Sequence, residues 1–400
     1  MSLTSKAIGR IAPSATVGVN TRATELKAEG RDVIGLAAGE PDFPVPEHAQ
    51  EAAIQAVRDG KWKYTAPDGT PELKDAVAAK FRRDNGIDYA RDEITVNVGG
   101  KHTIFNALMV TLDEGDEVVI PAPYWVSYPD IVRFCGAAPV IVPCPASAGF
   151  KMTPEQLDAA ITPKTKWLIF NSPSNPTGAA YAKAELEGLI EVLRRQPHVM
   201  VLADDIYEHI VYEDFVFHTL AELAPDLKDR ILTVNGASKA YSMTGWRIGF
   251  AGGPKALIKA IGKLQSQSTT NPCAIAQEAA RAALEGPQDF LPERVEAFRK
   301  RRDLVLSMLD EIEGLTCVKP DGAFYVYPEC SGLIGKTTPD GKKIETDEDL
   351  ATYLLESEGV AVVHGAAFGL SPAFRISYAT SQDVLIDACT RIQKACAALN

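Results

Sequence analysis

Ile231-Leu232-Thr233-Val234-Asn235-Gly236-Ala237-Ser238-Lys239-Ala240-Tyr241-Ser242-Met243-Thr244-Gly245-Trp246-Arg247-Ile248-Gly249 is the stretch from which the rest of the chain can be read. Its first four residues are an apolar, β-branched run, the pattern of a strand covered on both faces. Asn235-Gly236 ends the run, and Lys239 follows with Ser238 before it and Arg247 eight residues on. A lone lysine in a loop reads as a solvated surface residue. A lysine just past a buried strand, between a hydroxyl and a guanidinium, suits a different task. Its amine can hold an aldehyde as a Schiff base while the hydroxyl and guanidinium grip a phosphate on the same molecule.

Working outward, short apolar runs alternate with helical patterns. Ile94–Val98, Glu117–Ile120, Val140–Val142, Trp167–Phe170, Val199–Ala203, Ile231–Val234 and Ile248–Ala251 read as strands. Thr103–Leu112, Glu185–Arg195 and Pro254–Gln265 read as helices between them. This alternation predicts an α/β fold with a mostly parallel seven-stranded sheet flanked by helices, whose ligands sit at the carboxyl ends of the strands. The two ends of the chain differ. A charged helix from Val295 to about Glu311, strand-like Gly322–Tyr327, a helix after Thr346, and strands at Val360–Val363 and Phe374–Tyr378 suggest a smaller α+β domain. The proline-punctuated Gly39-Glu40-Pro41-Asp42-Phe43-Pro44 turn joins it. The expected division is therefore 48–293 for the large domain, with 1–47 and 294–400 forming the small one.

Composition narrows the possibilities. Four hundred residues, 46% apolar and 24% charged, describe an ordinary globular protein of two domains. A net charge of -12 argues against a nucleic-acid surface. Seven scattered cysteines without a C-x-x-C pair indicate reduced thiols and a cytoplasmic location, with no metal ligand set. The chain has no signal-like N-terminus and no run of about 18 apolar residues to span a membrane.

Five further segments carry candidate chemistry. Val201-Leu202-Ala203-Asp204-Asp205-Ile206-Tyr207 is a strand ending in an acid. Such a carboxylate either caps the next helix or pairs with a pyridine nitrogen and keeps it protonated. Tyr207 is then placed to donate to the ring's phenolic oxygen. Asn171-Ser172-Pro173-Ser174-Asn175-Pro176-Thr177-Gly178 is a rigid turn after a strand, which holds the Asn175 amide in place. Gly99-Gly100-Lys101 opens a helix, and paired glycines there let backbone N–H groups reach a phosphate. Trp125, in a proline-stiffened loop, is either a core aromatic or a ring that stacks on a cofactor. Arg375 interrupts an apolar strand, so its guanidinium meets either a protein carboxylate or the α-carboxylate of an amino acid. Gly332–Thr337 imitates a phosphate loop without its first glycine and is set aside. His102 and His364 show no metal-ligand spacing.

Together these segments resemble the class-I, fold-type-I pyridoxal-phosphate aminotransferases, most closely the bacterial aspartate aminotransferases. The likeness runs from Pro13-Ser14-Ala15-Thr16 to Arg375-Ile376-Ser377-Tyr378. It implies pyridoxal 5′-phosphate as cofactor and transfer of an amino group from L-aspartate to 2-oxoglutarate. Lys239 would carry the cofactor and shuttle the proton. Asp204 would pair with the ring nitrogen, and Tyr207 and Asn175 with the phenolic oxygen. Ser238, Arg247 and the Gly100-Lys101 backbone would hold the phosphate, and Trp125 would stack on the ring. Arg375, aided by Asn175, Trp125 and Gly39, would take the substrate α-carboxylate. Lys101, with Ser14 and Thr16, would take the distal carboxylate. Tyr64 would reach the phosphate of a neighbouring subunit, which implies a homodimer with shared sites. Two positions depart from the pattern. Gly236 stands where relatives often have serine. Ala12 stands where relatives that use prephenate carry lysine. Another aminotransferase, or a C–S lyase or decarboxylase on the same fold, would keep Lys239, Asp204 and Tyr207 without needing Lys101. A ligand-binding module on this fold, as in some transcription regulators, is a further alternative.

Overall fold

In the computed structural model, which describes residues 3–400, seven strands form the expected sheet. Their order across it is Ile94–Asn97, Gly249–Gly252, Ile231–Gly236, Met200–Asp204, Thr165–Asn171, Glu117–Ala122 and Ala138–Pro143. Only Gly249–Gly252 runs against its neighbours; the other pairs are parallel. The strands are apolar at nearly every position because each face has its own helical cover. Val118, Ile120, Trp167, Ile169, Leu202, Leu232 and Val234 belong to one cluster. The alternate residues Val119, Leu168, Phe170, Val201 and Ile231 belong to another. A period of two thus sorts one continuous run into two cores.

A third cluster gathers the ends of the chain. It packs Phe298, Val305 and Leu309 from helix Phe290–Leu309 against Leu350 and Leu354 of Asp347–Glu358 and Leu385 and Ile392 of Gln382–Ala397. These helices back an antiparallel sheet of Val363–His364, Phe374–Ser377 and Tyr325–Val326. The N-terminal strand Ile34–Gly35 pairs in parallel with Val360–Ala361.

Two expectations are corrected. Val360–Val363 is not one strand. It divides at Val362 because Val360–Ala361 pairs with the N-terminal strand while Val363–His364 pairs with Phe374–Arg375. The helix expected from Val295 begins at Phe290. Pro292 falls in its first turn, where a missing N–H removes no helical hydrogen bond.

Candidate active site

The carboxyl ends of Thr165–Asn171, Met200–Asp204, Ile231–Gly236 and the outermost strand Ile94–Asn97 meet along one end of the large sheet. Register sets Asn171, Asp204 and Val234 side by side there, and Asn97, Gly249 and Gly236 likewise. A cavity of about 420 Å3 opens between this end of the sheet and the segments from the chain ends. Every residue given a cofactor or substrate role lines it except Tyr64, which is 88% exposed and lies away from it.

One end of the cavity is built for an anion. Gly99 (φ +87°) turns the chain into helix Gly100–Met109, whose first N–H groups have no helical partner. A Cβ on Gly99 would collide with the Arg247 guanidinium, and one on Gly249 with the Gly100 nitrogen. Glycine at both places lets a guanidinium and a helix N-terminus converge. Arg247 itself holds a left-handed backbone (φ 56°), and its Nη1 donates to the Thr244 carbonyl at 2.8 Å. That conformation costs a non-glycine residue about 1 kcal/mol. Gly236 is explained by space as well. A Cβ there would stand 3.0 Å from the Ile248 carbonyl oxygen.

In the middle of the cavity Asp204 is the last residue of its strand. Burial pushes its carboxyl up to about 6 despite a 2.6 Å hydrogen bond that Tyr128 Oη donates to Oδ2. Asp204 does not cap a helix: the chain continues into turns, and Oδ1 receives only a long 3.4 Å contact from the Ile206 N–H. Lys239 Nζ donates to the Gly39 carbonyl at 2.5 Å. Burial, with Arg375 nearby, brings its amine down to about 8, well below an ordinary lysine.

Arg375 is 2% exposed, and among the described residues no carboxylate forms a salt bridge with it. Its Nη1 donates to Asn175 Oδ1 at 2.8 Å, Nη2 donates to the Ala37 carbonyl, and buried Nε has no partner. Its guanidinium lies between the rings of Tyr325 and Phe368, 4.7 and 5.0 Å from their centroids. Of the two explanations for an arginine in an apolar strand, the protein ion pair is therefore absent among these residues. Lys101 Nζ sits 4.9 Å from the Trp125 ring, and burial and Arg247 both lower its affinity for a proton.

Several contributors are not evident from motif spacing. Tyr128 steadies Asp204. Asn171 donates to the Asp204 carbonyl at 2.7 Å and accepts from the Asn175 N–H at 2.9 Å, tying two strand ends together. Tyr325 Oη lies 2.8 Å from Tyr207 Oη. Beneath the turn, buried Glu208 accepts from Asn235 at 2.7 Å and Asn85 at 2.8 Å and pairs with Lys80. Burial raises the Glu208 carboxyl, but Lys80 and His209 outweigh it and hold it below its ordinary value. The fold also brings His209 within reach of Asp84 and Glu208, a grouping invisible in sequence. The Lys80 ammonium already serves as cation to both acids.

These features fit pyridoxal phosphate. The glycine–arginine cradle suits its phosphate, the poised Lys239 amine its aldehyde, and the desolvated Asp204 carboxyl its ring nitrogen.

Along its whole length the chain is similar to known proteins. The profile of the family "Aminotransferase class I and II" matches residues 31–392. The chain is 60% identical over 400 residues to an aspartate/prephenate aminotransferase of Cereibacter sphaeroides, covering all of both chains. It is 58% identical to an aspartate aminotransferase of Rhizobium meliloti, covering 97% of this chain and 95% of that protein. Among solved structures, an aspartate aminotransferase from Rhizobium meliloti superposes with a TM-score of 0.97 at 56% identity over the whole of both chains. The Thermus thermophilus aspartate aminotransferase with maleate gives 0.92 at 45% identity, covering 99% of this chain and 100% of that one.

Proposed function

The chain belongs to the class I and II aminotransferases, and from that premise we propose that it moves the amino group of L-aspartate to 2-oxoglutarate, releasing oxaloacetate and then L-glutamate. Pyridoxal 5′-phosphate, the cofactor of this family, supplies when bound an aldehyde for the amino group and an electron-withdrawing ring that acidifies the substrate Cα. The chain's own residues do the rest. Asp204, steadied by Tyr128, holds the proton of the ring nitrogen. Lys239 Nζ takes the proton from the substrate Cα. Its lowered pKa keeps a useful fraction neutral near pH 7. Ser238, Arg247 and the Gly100 end of its helix hold the phosphate, and Trp125 covers the ring. Tyr207 and Asn175 serve the phenolic oxygen, and Gly39 helps to seat the substrate.

One observation carries this reading: the buried guanidinium of Arg375, without a counter-ion among the described residues, beside Asn175. It supports a bidentate seat for an α-carboxylate. Lys101, with Ser14 and Thr16 in the same wall, supports a second carboxylate, hence a dicarboxylic substrate. The related Thermus thermophilus enzyme was solved with maleate, itself a dicarboxylate. The test is incubation with aspartate and 2-oxoglutarate followed by an oxaloacetate assay. Release of pyruvate and ammonia from cystathionine, without oxaloacetate from aspartate, would make the protein a C–S lyase instead.

Prephenate is proposed as a secondary amino acceptor. A largely apolar cavity of about 510 Å3 adjoins the site across Lys101 and Arg247, and relatives carry prephenate in their names. Ala12 lines that cavity and brings no charge, which favours aspartate as the main substrate.

The same proposal includes a homodimer with shared sites, supported by Tyr64 and Trp62, 88% and 64% exposed on one short segment. It includes a two-domain division at 48–293, and a cytoplasmic location consistent with seven free thiols. No helix among the described residues is long and apolar enough to cross a membrane.

A further inference from the structure

Tyr325 is wholly buried at 0% exposure and forms part of the wall of the active-site cavity. Three parts of the site meet on it. Its Oη lies 2.8 Å from that of Tyr207. Its ring lies 4.7 Å from the Arg375 guanidinium carbon. Its hydroxyl presses on Gly39, where a Cβ would collide with it, and the Gly39 carbonyl accepts from Lys239 Nζ. Register explains the convergence. Tyr325 pairs with Ser377 on the strand that carries Arg375, so both side chains come from one small sheet.

Each phenol carries one proton. In a Tyr–Tyr pair one proton lies between the two oxygens and the other points away. If Tyr207 donates to Tyr325, Tyr207 has nothing left to offer a ligand oxygen. If Tyr325 donates, the Tyr207 proton is free for the site. The guanidinium over the Tyr325 ring favours the second arrangement, because a neighbouring cation makes a phenol a stronger donor. Donation into Tyr207 in turn strengthens its outward hydrogen bond.

We propose that Tyr325 is a positioning residue that directs the Tyr207 hydroxyl toward the phenolic oxygen of the cofactor and links it to the arginine that receives the substrate. This rests on the cofactor and substrate reading above.

The test uses the holoenzyme and follows the pH titration of the visible absorption band of bound pyridoxal phosphate. Weaker donation leaves more negative charge on the ring oxygen, which holds a proton on the neighbouring nitrogen and raises the midpoint. Tyr325→Phe is expected to raise it by about half a unit or more. The shift is expected to vanish when Tyr207→Phe is already present. Placing 3-fluorotyrosine, a more acidic phenol, at position 325 is expected to lower the midpoint, which keeps the test open if the phenylalanine variant folds poorly. A Tyr325→Phe midpoint within about 0.1 unit of the parent would overturn the proposal. So would an equal shift in the Tyr207→Phe background, or an upward shift with the fluorinated residue. A parent protein with no visible band would refute the cofactor reading instead.

Discussion

Nη1 of Arg375 donates to Oδ1 of Asn175 at 2.8 Å, joining residues 200 positions apart. This bond fixes the orientation of the amide. With its oxygen engaged, Asn175, which lines the cavity, keeps its Nδ2 as a donor for a ligand. A single contact thus aims two groups at an anionic ligand.

Asn175→Asp tests that arrangement. The new carboxylate would neutralise Arg375 and compete with the substrate's own. The KM for amino acid and oxo acid should rise by about 100-fold. The melting temperature of the ligand-free protein should hold or increase, since a buried charge gains a partner. Steady-state kinetics and a thermal scan check both. A loss of stability would show that Arg375 is neutralised by some other means.

Lys239→Ala should abolish turnover and the visible cofactor band. The pH dependence is equally specific. An amine attacks an aldehyde only when neutral, and Lys239 is held at about 8. The rate at which cofactor-free protein takes up pyridoxal phosphate should therefore climb through pH 8 and level off above it. An unperturbed lysine would give a rate still rising toward about 10.4. Stopped-flow absorbance distinguishes the two curves.

Lys101→Ala should lower kcat/KM for aspartate by about 10- to 100-fold and that for alanine by less than about 3-fold. The reason is that Lys101 offers a point charge to the distal carboxylate alone. Comparable losses on both substrates would assign Lys101 to the phosphate instead.

Shared sites can be tested by mixing. Tyr64→Ala and Lys239→Ala should each be impaired alone. Subunits exchanged between them would form hybrid dimers in which one site combines an intact Lys239 with an intact Tyr64 from its neighbour. Activity reappearing on mixing supports this arrangement. A mixture no more active than its parts would return Tyr64 to an ordinary surface role.

The central sheet was legible because its strands are apolar at nearly every position, which only a doubly covered sheet requires. Lys239 and Asn175 stood out as candidates because each follows such a strand within a few residues, and Asp204 because it ends one. Arg375 stood out as a charge inside an apolar run. What stayed hidden depends on proximity between distant segments. Tyr128 reaches Asp204 across 76 residues and Tyr325 reaches Tyr207 across 118. A buried tyrosine looks the same in sequence whether its hydroxyl meets water, backbone or a catalytic partner. The division of Val360–Val363 was hidden for the same reason: its first half answers to Ile34–Gly35, more than 300 residues earlier.

That last pairing has a consequence for synthesis. Ile34 donates to the Gly359 carbonyl and Leu36 to that of Ala361, so the segment leading to Gly39 finds its backbone partners only near the end of the chain. Residues 359–361 must be made before Ile34 and Leu36 can find these partners, although every strand of the large sheet has long since emerged. A nascent chain cut short before residue 359 would keep its Lys239 while lacking Arg375 and the backbone partners of Ile34 and Leu36. Competence to bind the substrate carboxylate therefore waits on synthesis of the segment from Gly359 to Arg375, and limited proteolysis of chains truncated before it should find the segment around Ile34 open to cleavage.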